Sequence, residues 1–203
     1  MDNGRIRKIT ATIYSNTMTT EQFQPIDSRT ESLFREIRRR IFRLQSGGTL
    51  DSLKNVGADT ASQIGASYVS LKQLASRYTP DEQVALMLWG TGQREEQIVA
   101  CFLFPEDFNK EKITQFMPHC LNADVAGYVG SVYLYKHSRF LELVREWIAS
   151  GDTFRQIAAL TAAARHRIIY KKDSLLSQEE FREMTEQPYA DRFVRLTAER
   201  YRL

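Results

Sequence analysis

The chain has 203 residues, of which 42% are hydrophobic and 26% are charged, and it contains only 10 glycines and 5 prolines. Such a composition excludes disordered and fibrous proteins and is typical of one domain with a sizeable hydrophobic core. The net charge of +3 is too small to indicate nucleic-acid binding by itself.

Two features of the sequence bear on the cellular compartment. No apolar run approaches the roughly 20 residues needed to span a bilayer, and the polar N-terminus lacks the apolar core of a signal peptide. We therefore expect a cytoplasmic protein. Cys101 and Cys120 lie in apolar helical surroundings, which favours buried reduced thiols over a disulfide or a metal site.

The N-terminal residues 1–27 have no firm pattern beyond a weak strand-like alternation at 9–14, and we predict a poorly ordered arm there. A helical domain over residues 28–203 follows. Its first helix begins at Ser28, which stands three residues before Glu31 as in a capping box. Apolar residues recur along this helix at helical spacing: Leu33, Ile37, Ile41 and Leu44.

Further helices follow in chain order. Short helical pieces with turns at Gly57 and Gly65 are expected over residues 49–66. Before the helix at 81–90, Thr79 is the predicted N-cap and Pro80 takes the first helical position. We predict helices at 69–78, 81–90, 94–104, 110–118, 122–136, 138–149, 152–166, 177–186 and 189–201. Since no other segment alternates like a strand, the predicted fold class is all-α.

An internal echo indicates repeated helix pairs. Trp89 is followed eleven residues later by Ala100, and Trp147 is followed eleven residues later by Ala158. In both places a tryptophan closes the first helix of a pair and a small residue lies inside the second. Stacked helical repeats have this form because a single pair cannot bury its apolar face alone. We therefore expect both tryptophans in the core and the pairs packed side by side.

Charge is distributed unevenly along the chain. Residues 81–130 hold 3 basic and 8 acidic residues, whereas residues 131–172 hold 8 basic and 3 acidic residues. This asymmetry favours either a basic face that contacts phosphate groups or charges that cover solvated helix faces. The candidate nucleic-acid-binding residues are Lys136, Arg139, Arg155, Arg165, Arg167, Lys171 and Lys172. The same two interpretations apply to the arginine run at 38–40.

Neither a metal site nor a cofactor site is expected. His119 and His137 have no second ligand at metal-binding spacing. The sequence also contains no phosphate-binding glycine loop, no nucleophile-elbow motif and no zinc pattern.

Four segments, in order, resemble hallmarks of the AlkD-like DNA alkylation repair family. They are residues 67–78 (SYVSLKQLASRY), 88–96 (LWGTGQREE), 136–138 (KHS) and 146–150 (EWIAS), and the similarity spans about residues 30–166. The resemblance implies a curved solenoid of HEAT-like helix pairs that binds duplex DNA, including alkylated DNA, on a basic concave face. It also implies hydrolysis of the glycosidic bond of positively charged alkylpurines, in which aromatic faces and a carboxylate stabilise the sugar cation.

The catalytic set implied by the resemblance is only partly matched. The family's helix corresponding to 119–133 carries a tryptophan and, four residues later, an aspartate. The counterparts here are His119 and Ala123 or, in another register, Ala123 and Gly127. Ile157 occupies the place of the family's catalytic-site arginine.

Asp124 is the only carboxylate in residues 119–133 and is therefore the candidate catalytic residue. Its alternative role is that of an acid favourable to the dipole of its own helix. Two functions remain open. The first is duplex-DNA binding with alkylpurine DNA glycosylase activity much weaker than in family members with the full set. The alternative is a non-catalytic HEAT-repeat scaffold that binds DNA structures or another protein.

Overall fold

A computed structural model describes residues 23–45 and 63–202 of the chain. This part of the chain contains ten α-helices and no strand, which confirms the predicted all-helical class. The helices are α1 Ser28–Phe42, α2 Tyr68–Ala75, α3 Glu82–Gly90, α4 Arg94–Leu103, α5 Lys110–Phe116, α6 Ala123–Tyr128, α7 Phe140–Ala149, α8 Thr153–Tyr170, α9 Gln178–Glu186 and α10 Arg192–Tyr201. The predicted strand-like segment at 9–14, most of the predicted arm and the turn at Gly57 lie outside the described residues. Within the described ranges, no helix is long and apolar enough to cross a membrane.

Side-chain caps start most of these helices, and two of them differ from the prediction. Asp27, not Ser28, is the N-cap of α1, and its carboxylate accepts the backbone N–H of Thr30 at 2.7 Å. Asp81, not Thr79, is the N-cap of α3 and accepts from the backbone of Val84 at 2.9 Å. In both places an aspartate within two residues of the predicted cap provides a charged acceptor, which also interacts favourably with the helix dipole.

The helices pack in a continuous row, with a second set against it. In the row, α2 packs against α4, α4 against α6, α6 against α8, and α8 against α10. On this row, α3 packs against α4, α7 against α8, and α9 against α10, while α1 packs against α3. Trp89 and Trp147 are fully buried, as the internal echo predicted. The curvature of a HEAT-like solenoid stays a prediction.

Two glutamines refine the register of the internal echo. Gln97 and Gln156 are each the fourth residue of their helices, α4 and α8. The side-chain amide of each donates to the carbonyl eight residues earlier: Gln97 to Trp89 at 3.0 Å, and Gln156 to Ile148 at 2.9 Å. These bonds make Trp89 equivalent to Ile148, one residue away from the pairing with Trp147 that the tryptophan-to-alanine spacing suggested.

The predicted helix at 122–136 has mixed geometry. It begins as α6, widens into a π-helical turn at Val129–Tyr133 and ends as a 3₁₀ turn at Leu134–Lys136. Gly130 lies in the wide turn, and a Cβ atom there would be 2.3 Å from the carbonyl oxygen of Ala158. The glycine therefore permits a close backbone approach between this segment and α8.

Both cysteine thiols are free and buried, in agreement with the prediction of buried reduced thiols. Burial raises the pKa of the Cys101 thiol well above its ordinary value and that of Cys120 to about 12. Neither residue is therefore a reactive thiolate at neutral pH.

Candidate functional site

A cleft of about 440 Å³ lies where α6, α8 and α10 meet. Its lining includes Ala123, Gly127 and Ile157, which are the positions where the implied catalytic set is not matched. His119 lies elsewhere, exposed and with its ring edge-on to Phe23 at 5.3 Å between centroids. The cleft thus brings Ala123 and Gly127, the pair of the second alternative register, together with Ile157.

The start of α6 is fixed by the buried side chain of Gln97. Its amide nitrogen donates to the carbonyls of Trp89 at 3.0 Å and His119 at 2.7 Å, and its amide oxygen accepts from the backbone N–H of Leu121 at 3.0 Å. Asn122 then caps α6 through the backbone N–H of Val125. A fully bonded amide in the core is rigid, so the first turn of α6 is held against α4.

Asp124 lies in the first turn of α6 and lines the cleft, but its carboxylate is already paired. Its Oδ2 atom accepts from Nε of Arg94 at 2.8 Å. The side chain of Arg94 is only 17% exposed and that of Asp124 is 52% exposed. The same guanidinium lies 3.6 Å from the Glu95 carboxylate and 5.7 Å from the centroid of the Tyr128 ring. The carboxylate of Asp124 is therefore partly neutralised by a positioned cation.

Aromatic rings extend from the cleft toward α2. The rings of Tyr68 and Tyr128 stack with centroids 5.4 Å apart and an interplanar angle of 15°. Further along, the guanidinium of Arg165 lies 5.7 Å from the ring centroid of Tyr135. Burial raises the pKa of the Tyr68 and Tyr128 phenols above their ordinary value, so both remain neutral at pH 7.

Glu95 fixes the approach of the chain to Tyr68. Its buried carboxylate accepts from the backbone N–H groups of Ile64 at 3.1 Å and Gly65 at 3.0 Å. Gly65 adopts φ = 75°, the left-handed region that glycine tolerates best, at the turn that the sequence predicted there. Ser67 then caps α2, and Tyr68 becomes its first residue. A buried glutamate on α4 therefore holds the turn that brings Tyr68 onto Tyr128.

The arginines predicted on α8 do not share one face. Arg165 projects toward Tyr135, whereas Arg155 donates to the carbonyl of Thr114 on α5 at 2.9 Å. Arg167 donates to the carbonyl of Leu176 at 2.9 Å, on the side of α9. Positions 165 and 167 are two residues apart, which is about 200° around a helix. Arg165 therefore lies beside Tyr135, whereas Arg167 lies 5.4 Å from the ring centroid of Phe181 on α9, which does not line the cleft.

The other predicted basic residues lie at the ends of helices. Lys136 pairs with Glu106 at 3.1 Å, and Arg139 pairs with Glu142. Lys171 and Lys172 are exposed in the 3₁₀ turn after α8 and have no carboxylate partner within the described ranges. Of these four predicted cations, the two lysines are therefore the ones without a carboxylate partner among the described residues.

His137 is a structural residue. Its Nδ1 accepts from the backbone N–H of Arg139 at 2.9 Å, and its Nε2 lies 2.9 Å from the carbonyl of Phe108. This arrangement requires the neutral tautomer with the proton on Nε2, and burial lowers the pKa of the imidazole accordingly. No cluster of three histidine, cysteine, aspartate or glutamate side chains suited to a metal lies within residues 23–45 and 63–202.

The partners of two cleft residues, Asp124 and Tyr128, were not identified from the sequence. Arg94 and Asp124 are 30 positions apart, and Tyr68 and Tyr128 are 60 apart, so their pairing depends on the packing of α2, α4 and α6. One signal was available for the ion pair, since Arg94 and Asp124 lie in the first turns of their helices. In a stacked row, such first turns lie on the same side.

The comparison with protein families gives one match. Residues 37–186 match the model of the family described as DNA alkylation repair enzyme. The matched segment includes the complete lining that α6 and α8 contribute to the cleft, but it ends before α10. No curated protein and no solved structure matches the chain.

Proposed function

The chain belongs to the DNA alkylation repair enzyme family, and from this membership we propose that it binds duplex DNA across the cleft between α6, α8 and α10. We further propose that it excises alkylated purines far more slowly than family members with a complete catalytic set. The observation that carries this proposal is that Asp124, the only carboxylate among the described cleft residues, is bound to Arg94 at 2.8 Å.

DNA binding is supported by the groups at the cleft and beside it. Arg200 lines the cleft, and Arg165 lies by the aromatic rings, so two guanidinium groups can contact phosphates. The neutral rings of Tyr68 and Tyr128 offer aromatic surface to a base, and a positively charged alkylpurine interacts favourably with such a face.

Weak excision follows from the chemistry of the reaction. A water oxygen must bond to the sugar C1′ while the glycosidic bond breaks and its electron pair leaves with the alkylated base. A free carboxylate accepts the proton of the water and stabilises the developing sugar cation. Ala123 and Gly127 have no polar side-chain atom, and the charge of Asp124 is already offset by Arg94. Loss of one such group typically slows a reaction about a hundredfold or more.

The test is the release of N7-methylguanine from a duplex with one such lesion. Gly127→Asp restores a carboxylate at the cleft, and a Cβ at position 127 meets nothing within 4 Å, so the variant is accommodated. We expect Gly127→Asp to raise the rate at least tenfold, while Gln178→Asp, which adds the same charge on exposed α9 surface, leaves it unchanged. Parent activity that is abolished by Asp124→Asn would instead identify Asp124 as the catalytic carboxylate and contradict the proposal.

Binding is measured separately, by fluorescence anisotropy with an unmodified duplex. We expect Arg165→Gln with Arg200→Gln to weaken binding and to reduce the dependence of affinity on salt, because fewer counterions are released. The control is Arg182→Gln with Arg192→Gln, two exposed arginines that do not line the cleft. If both double variants bind like the parent at every salt concentration, DNA does not occupy the cleft.

A second function, the non-catalytic scaffold for another protein, is favoured by the end of α8. Ile168 and Leu175 are each 63% exposed there, beside the partly exposed Ile169. Apolar residues exposed together are typical of protein-binding surfaces. This function predicts that Ile168→Ser releases a protein that co-purifies with the chain, while the affinity for duplex DNA stays within twofold of the parent.

A further inference from the structure

Helix α1 presents a stripe of arginines that the cleft does not use. Arg35, Arg39 and Arg43 follow one another at four-residue spacing, so they lie on one side of the helix and its C-cap. Four residues of α-helix rise about 6 Å, so three guanidinium groups are spaced along roughly 12 Å of surface. The sequence permits two interpretations of the arginine run on this helix, a solvated flank and a phosphate contact.

Carboxylates neutralise only part of this charge. Glu31 pairs with Arg35, Glu96 pairs with Arg38 at 2.9 Å, and Glu36 pairs with Arg40 at 2.9 Å. Over the described ranges, Arg39 and Arg43 have no carboxylate partner. Among the described residues, Arg39 makes one long hydrogen bond, from Nε to the backbone carbonyl of Arg35 at 3.4 Å, and its two terminal nitrogens have no partner there.

Arg39 and Arg43, which have no carboxylate partner among the described residues, line two cavities. Arg39 and Arg43 line a cavity of about 850 Å³ together with Arg38 and Phe42. Arg43 also lines a second cavity, of about 380 Å³, with Arg77 on its other side. The positive charge of this surface is therefore concentrated around Arg43.

An exposed aromatic ring lies among these charges. Phe42, the last residue of α1, is 64% exposed and lines the larger cavity. A phenylalanine side chain so exposed contributes little to the core, although it presents a π-face to whatever enters the cavity. An aromatic ring flanked by unpaired arginines is the combination with which proteins hold unpaired nucleotides.

We propose that this surface of α1, formed by Arg39, Phe42 and Arg43, binds a single-stranded nucleic-acid segment. The guanidinium groups contact neighbouring phosphates, and the Phe42 ring stacks on one base. A single strand fits better than a duplex because the bases of a duplex are covered by their neighbours and offer no free face to Phe42. The surface is separate from the cleft, since α1 packs against α2, α3 and α4, whereas the cleft lies between α6, α8 and α10.

The test uses the full chain and a fluorescein-labelled 15-nucleotide oligothymidylate, with binding measured by anisotropy across a salt series. We expect Arg39→Gln with Arg43→Gln to weaken binding at least tenfold at low salt. It should also reduce the slope of log K against log salt by about 1.4, which corresponds to two single-strand phosphate contacts. The control is again Arg182→Gln with Arg192→Gln, which should bind like the parent.

Substitution of Phe42 tests the stacking contact. Phe42→Leu keeps an apolar side chain and removes the ring, so it should weaken oligothymidylate binding about fivefold or more without changing the salt slope or the melting temperature. The proposal is overturned if the arginine double variant binds oligothymidylate like the parent. It is also overturned if Phe42→Leu has no effect, because the surface would then bind phosphate alone.

The cleft variants keep this proposal distinct from the proposed function. Arg165→Gln with Arg200→Gln should leave oligothymidylate binding unchanged, and equal losses in this variant and in the α1 variant would overturn a separate site. The affinity for duplex DNA can be the same in the cleft variants as in the parent while the affinity for oligothymidylate depends on Arg39 and Arg43. That result would support the single-strand site and show that the proposed use of the cleft is wrong.

Discussion

Replacing Gln97 with leucine tests how the cleft is held in place. The side chains are similar in volume, but leucine cannot make the three hydrogen bonds to Trp89, His119 and Leu121. The carbonyl of Trp89 keeps a second, longer bond from Gly92 at 3.3 Å, so two backbone groups lose their main partner. The bonds to His119 and Leu121 are partly buried, so each group left without a partner costs toward the lower end of about 1–3 kcal/mol, and the expected loss in the free energy of unfolding is roughly 3 kcal/mol.

The matched control is Gln156→Leu, at the equivalent position of α8. Its side chain is also buried but, within residues 23–45 and 63–202, makes a single bond, to the carbonyl of Ile148 at 2.9 Å. We expect a loss of about 1 kcal/mol. Both variants are measured by urea unfolding, and an unchanged m-value shows that the comparison is one of stability alone. If Gln97→Leu costs no more than Gln156→Leu, the side chain of Gln97 does not fix the start of α6.

Three further predictions concern stability and reactivity. Gly130→Ala should lower the free energy of unfolding by about 1–3 kcal/mol, because its Cβ meets a backbone oxygen at 2.3 Å. Gly127→Ala lies in open space on a helix and should raise the free energy of unfolding by up to about 1 kcal/mol. Thermal melts that rank the two variants the other way would contradict the close approach at Gly130. Burial lowers the pKa of His137 below 6.5, so as the pH falls the unfolded chain takes up the proton before the folded chain does. The stability that His137 contributes is complete above pH 6.5 and should decline as the pH falls. The stability of His137→Gln should decline less steeply, and parallel pH profiles of the two proteins would exclude this contribution. Because burial raises the pKa of Cys120 to about 12, the native thiol should react with a disulfide reagent at pH 8 only as fast as the protein unfolds, and rapid labelling of the folded chain would show that the thiol is accessible.

Local sequence signals were sufficient for the helices. Leaving aside the short pieces at 49–66, ten helical segments were predicted from residue 28 onward, and all ten correspond to described helices. The reason is that apolar spacing and capping residues act within a few positions of the chain. The errors were also local. Asp27 and Asp81 took the caps assigned to Ser28 and Thr79, since several acceptors near a helix start compete and the backbone conformation selects one.

The internal echo marks the boundary of what spacing can establish. Two buried tryptophans and two helix pairs were correctly expected. Their register was not, because the bonds from Gln97 to Trp89 and from Gln156 to Ile148 depend on how each second helix packs back on the first. A shift of one residue rotates a side chain by about 100°, so a register that is nearly right still places a side chain on the wrong face.

The sequence by itself determined the all-helical class, the family resemblance and the absence of a carboxylate at positions 123 and 127. Only the tertiary structure decided what the charged residues contact. Arg165 meets the Tyr135 ring, Arg155 binds a backbone carbonyl, and Arg167 binds a backbone carbonyl and lies over the Phe181 ring. Asp124 meets Arg94 from a helix 30 residues away. The physical reason is range: helix formation depends on neighbours along the chain, whereas the partner of a charge depends on which helix lies opposite, and that follows from packing of the whole row.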